Sequence, residues 1–122
     1  MSHRVYLVPM LASALLAGAQ FVQAEADGPD CWQVTGVAAN DVLNIRVKPD
    51  WKSAKVGEIP HNAIGLRNLG CQGGLTYEEH TELTEEQRDE RLAANPRWCK
   101  VEYRGAIGWV NAVYLIEGAC AI

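Results

Sequence analysis

Past residue 24 this chain holds one serine, Ser53, and two histidines, His61 and His80. A Ser-His-Asp arrangement would therefore rest on one loop residue, with no nucleophile-elbow motif around it. No two of the four cysteines are spaced Cys-x-x-Cys, so the usual zinc-ligand spacing is missing. Glycine-rich phosphate loops are missing too, and Gln72-Gly73-Gly74 reads as a turn. Basic excess is lacking: 15 acidic side chains face 11 basic ones, a net charge of −4. Non-specific nucleic-acid binding needs a cationic face to displace counterions, so nucleic acid is not an expected partner. No internal repeat or low-complexity tract is present. Glutamates such as Glu78 and Glu82 are spaced for a carboxylate pair, but a glutamate-rich segment produces such pairs by chance. The expectation is a protein that is not an enzyme, with no cofactor and no metal.

The front of the chain has its own character. Arg4 is followed by an apolar run from Val5 to Ala19 broken only by Pro9 and Ser13, and Val22-Gln23-Ala24 offers small residues for cleavage. Residues 1–24 read as a secretory signal peptide, cut after Ala24. The rival reading is an uncleaved anchor, which needs about 20 apolar residues; Gln20 and Gln23 shorten the run. Position 19 is Ala where a lipoprotein would need Cys, so no lipid anchor is expected. Residues 25–122 then form one domain, periplasmic or secreted, with no membrane contact after cleavage. Cys31, Cys71, Cys99 and Cys120 all lie in it. An even count in a small exported domain points to two disulfides, with three connectivities open and zinc ligation as the competing use.

Short alternating segments dominate the rest of the chain. Trp32–Val37 alternates, Asn40-Asp41 turns, and in Val42–Arg46 the period of two turns Leu43 and Ile45 inward and Asn44 and Arg46 outward. Pro49 opens an irregular loop with Trp51, Lys52 and Lys55. Val56–Pro60 and a segment from Ala63 to Leu69 read as further strands. Trp98–Tyr103 alternates again, and Arg104-Gly105 suits a tight hairpin turn because glycine tolerates positive φ. The pattern predicts an all-β small barrel or sandwich.

Three of these segments resemble bacterial SH3-type (SH3b) domains. They are Leu43-Asn44-Ile45-Arg46 with Pro49, then Val56-Gly57-Glu58-Ile59, and then the closing run from Trp98 through Gly108-Trp109-Val110 to Tyr114-Leu115. Lys48 stands where the family typically has glycine. The resemblance implies an SH3-like barrel that binds cell-wall peptide or glycan without catalysis. It also implies that the chain ends meet, which favours Cys31 with Cys120. Cys71 and Cys99 would then flank an insertion absent from most relatives.

That insertion runs from roughly residue 73 to 97, and its acidic stretch, 75–97, holds seven acidic and three basic residues. Thr84-Glu85-Glu86-Gln87 is a capping-box pattern, and Asn95-Pro96 stops a helix, so a short surface helix is expected over 85–94. Its apolar content is poor, so the Cys71–Cys99 bridge and packing of Tyr77, Leu83 and Leu92 are expected to hold it.

Expected ligand contacts are Asn44, Arg46 and Asn111 as orienting polar groups and Trp51 as a stacking platform, with folding back onto the barrel as the equal alternative. Trp98, whose strand position favours packing in the core over ligand contact, and Tyr77, at the edge of a groove beside the insertion, complete the set. The expected partner is peptidoglycan; the alternative is an envelope protein that docks on the acidic insert. A monomer is expected.

Overall fold

The computed structural model describes residues 28–120; the expected signal peptide lies outside the described residues. Seven strands form one antiparallel sheet that curls into a half-barrel, with two helices in the insertion. The strands are β1 (Cys31–Val34), β2 (Val42–Arg46), β3 (Lys55–Pro60), β4 (Leu66–Gln72), β5 (Trp98–Tyr103), β6 (Ala106–Asn111) and β7 (Leu115–Glu117). Their order across the sheet is β3-β2-β6-β5-β4-β1-β7.

Alternation sets the inner face. In β2, Leu43 and Ile45 are buried while Asn44 and Arg46 are half-exposed, as a period of two requires. Trp32, Val34, Ile59, Leu66, Val101 and Val110 join them in a single core. The β5–β6 hairpin turns at Arg104 (φ 50°) and Gly105 (φ 87°), the doubly positive pair of a two-residue loop. Between β2 and β6 the pairing is brief, with Arg46 opposite Trp109. The two strands close in because Gly108 has no side chain: a Cβ there would lie 2.6 Å from the Arg46 carbonyl oxygen.

Two strands differ from the expected bounds. β1 ends at Val34, because Val34 N–H donates to the Ala63 carbonyl and Thr35 N–H to that of Tyr114. β4 begins at Leu66, past Gly65 (φ 77°), and runs to Gln72 through a register shift between Asn68 and Cys71. That shift brings Cys71 directly opposite Cys99, and the two are bridged. The second bridge joins Cys31 to Cys120.

The insertion is a two-helix hairpin rather than one helix: α1 (Tyr77–Glu82) and α2 (Glu85–Ala94). Each opens on a complete capping box, Thr76 with Glu79 and Thr84 with Gln87. Neither helix has a buried residue, and Tyr77 is 82% exposed, so Tyr77 does not pack as expected. Polar ties across the hairpin do that work: Arg91 pairs with Glu79, and Arg88 Nη1 donates to the Leu83 carbonyl at 2.8 Å. The hairpin is tied at its root as well. Gly74 N–H donates to the Asn95 carbonyl at 2.8 Å, so the chain leaves the sheet and returns at adjoining points.

The Thr76 backbone N–H donates to the Glu79 carboxylate, which holds that carboxyl below its usual range, and the Arg91 charge adds to the effect. A folded-state value below the unfolded one stabilises α1 above the ordinary carboxylate range. That contribution is lost as pH falls through the lowered value. An NMR titration is expected to show Glu79 protonating below the ordinary glutamate range, with the Thr76 amide shifting in step. Glu79 titrating within the ordinary glutamate range would contradict this account.

Candidate functional site

A groove of about 510 Å³ opens beside the outer face of β2. This volume is within the usual range for small-ligand sites. Asn44 and Arg46 reach it because they are the outward-facing positions of β2. Trp98, at the start of β5, and Asn111, at the end of β6, are Cα partners across the β5–β6 ladder and enter together. Trp51 comes from the loop between β2 and β3, and Tyr114 from the 3-10 turn after β6. Five of the six side chains expected from the sequence thus line one groove. Tyr77 is not among them, because α1 carries it outward on the insertion.

The Trp51 loop is held by hydrogen bonds centred on Ser53. Its hydroxyl lies 3.0 Å from the Lys48 carbonyl and 2.8 Å from that of Asp50, and it accepts from Lys48 N–H. Arg46 Nη1 donates to the Ser53 carbonyl at 3.0 Å, which ties the loop to β2. Trp51 is left 68% exposed, with Lys52 Nζ 5.4 Å from its ring centroid. A large apolar ring in open solvent on an anchored loop is a preformed contact surface.

Trp98 differs, being 8% exposed: it forms a wall of the groove rather than a free platform. Asn111 Oδ1 accepts from Val113 N–H at 3.0 Å and caps the 3-10 turn, leaving its amide nitrogen as a donor. Asn44 Oδ1 is buried and accepts no hydrogen bond from the described residues. An acceptor without a donor costs about 1–3 kcal/mol of desolvation.

A second depression of about 420 Å³ adjoins the first and shares Trp51, Trp98 and Asn111 with it. Its far side is the root of the insertion: Gln72 and Gly73 from the end of β4, Asn95 and Pro96 from the end of α2. The strand and helix patterns of the sequence do not place these residues or Tyr114 in the site. Gln72 reads as part of a turn and Asn95-Pro96 as a helix stop, and the β4–β5 register brings Gln72 opposite Trp98.

The fold and the groove define a small disulfide-bonded β-domain with an open aromatic cleft. No protein-family model, curated protein or solved structure matches the chain. Among the described residues, no helix is long and apolar enough to cross a membrane.

Proposed function

We propose that this protein is an exported, non-catalytic binding module of the SH3b type that recognises peptidoglycan peptide or glycan through the groove beside β2. The observation that carries this reading is the gathering of Asn44, Arg46 and Trp51 with Trp98 and Asn111 around one cleft. They combine a stacking ring with a cation and neutral amides, which suits a ligand having both apolar faces and polar edges. Two disulfides fit an oxidising compartment outside the cytoplasm.

The acidic hairpin supports a second reading, in which an envelope protein docks on the insertion. Both helices present glutamates to solvent and have no buried residue. Co-sedimentation of the oxidised protein with purified insoluble peptidoglycan separates the two. Saturable pelleting is expected, reduced at least about tenfold by Trp51→Ala, since exposed aromatic anchors commonly account for about 2 kcal/mol or more at a binding site. Replacing residues 76–93 with a short Gly-Ser linker is expected to leave pelleting intact. The replacement stops short of Asn95 and Pro96 because they line the cleft. Absence of pelleting would refute wall binding and leave the docking reading.

A further inference from the structure

The two halves of the cleft differ in chemistry. The half beside β2 is lined by one cation, Arg46, and one carboxylate, Asp41, whereas the half at the root of the insertion is lined by one carboxylate, Asp50, and by no cation. Gln72, Asn95 and Asn111, which carry neutral amides, line the same space as Trp51 and Trp98, and the Asn95 amide also donates to the Gly74 carbonyl at 3.5 Å. We propose that this root-side half is a subsite for a neutral pyranose ring of an N-acetylated glycan strand; the inference rests on the groove reading above.

Each feature of the subsite matches that class of ligand. A pyranose ring has an apolar C–H face, weakly positive at its hydrogens, that fits the negative face of an indole. Its hydroxyl and acetamido edges need donors and acceptors lying close together, and a primary amide presents both in one plane. The Asp50 carboxylate accepts from hydroxyls but repels a carboxylate. An anionic stem peptide is therefore disfavoured here and meets a cation in the other half, at Arg46, which shares that half with Asp41.

The subsite is also preorganised. Gln72 is the Cα partner of Trp98, one residue beyond the Cys71–Cys99 bridge. Gly74 N–H holds the Asn95 carbonyl, and a Cβ on Gly74 would sit 2.9 Å from that of Arg97. Opposed walls that are fixed before the ligand arrives lower the ordering cost of binding. In this arrangement the insertion lengthens the groove, and its base is what selects the sugar.

The test is calorimetric titration of the oxidised protein with N-acetylglucosamine tetrasaccharide and, separately, with soluble stem tetrapeptide. Sedimentation with whole peptidoglycan runs beside it. The tetrasaccharide is expected to bind, and Gln72→Ala and Asn95→Ala to weaken it about five- to tenfold each, the loss of one hydrogen bond. Stem-peptide affinity is expected to stay unchanged in both variants, and Tyr77→Ala to behave as wild type. Gln72 is exposed at the end of β4, so its truncation tests the subsite without touching the core; circular dichroism checks the fold of each variant. Binding of whole peptidoglycan and stem peptide without the tetrasaccharide would overturn the sugar subsite and leave the groove reading standing. Tetrasaccharide binding indifferent to both amide variants would overturn the placement. No binding of any of the three would overturn both.

Discussion

A Cys71→Ala/Cys99→Ala double variant is expected to lose about 3.5 kcal/mol of stability, the chain-entropy value for a bridge spanning 28 residues. For a domain of this size that corresponds to a fall in Tm of about 15–25 °C. The Cys31–Cys120 bridge closes a longer loop, 89 residues, and Cys31→Ala/Cys120→Ala is expected to cost about 4.5 kcal/mol. The two variants differ in what their folded molecules still do. Cys71 and Cys99 flank Gln72 and Trp98, so without their bridge the root-side wall of the cleft loosens and ligand affinity falls even well below Tm. Cys31 and Cys120 do not line that cleft, and the affinity of the folded fraction is expected to survive. Thermal unfolding followed by dye-free scanning, with pelleting repeated at low temperature, measures both quantities. A loss below about 1 kcal/mol for either pair would contradict the chain-entropy account, and equal effects of the two on affinity would contradict the role of the Cys71–Cys99 bridge in holding the cleft wall.

Gly73→Ala is expected to cost about 2–3 kcal/mol of stability, because two causes of strain coincide there. Gly73 has φ of 78°, where an L side chain is strained, and its added Cβ would collide with the Pro96 carbonyl oxygen. The collision is with backbone, so it is relieved only by moving the insertion away from the sheet. Gly70→Ala isolates the cause. Its φ is 116°, but a Cβ there meets nothing within 4 Å, so it bears conformational strain alone, about 1 kcal/mol. The difference between the two variants in urea unfolding measures the collision. Equal values for Gly70→Ala and Gly73→Ala would show that the insertion root is soft.

The parts of this fold legible from sequence are those set by local periodicity or by a cap. Leu43 and Ile45 alternate with polar neighbours, and Thr84 to Gln87 spell out the start of α2 in four residues. Thr76 to Glu79 also form a capping box, but the expected insertion has one helix, over 85–94, and α1 is not part of it. The six residues of α1, His80 and Thr81 among them, make too weak a pattern to separate from loop, and the cap alone marks them. The end of β4 is illegible for a different reason: its register depends on residue 99, 28 positions away from Cys71. The same non-local pairing decides the cleft. Asn44 and Arg46 can be read as outward from their own strand, whereas the polar loop of Trp51 suits equally a ring standing free and one folded back onto the barrel. Gln72, Asn95 and Tyr114 enter only once β4, α2 and the 3-10 turn are brought beside β5 and β6, which no local pattern encodes.

The crossing of the chain at Gly74 and Asn95 has a consequence for how such a protein changes over time. Between those two positions the polypeptide makes a closed excursion whose ends already touch, so the strands on either side need not register its length or content. Such a junction acts as a socket. Different hairpins, longer helices or a bare turn fit it equally well, at the slow logarithmic cost of closing a longer loop. Only the residues at the rim of the socket, Gln72, Gly73, Asn95 and Pro96, are answerable both to the sheet and to whatever occupies the cleft. Variation among descendants of this chain would then concentrate in residues 76–93 and stop abruptly at that rim.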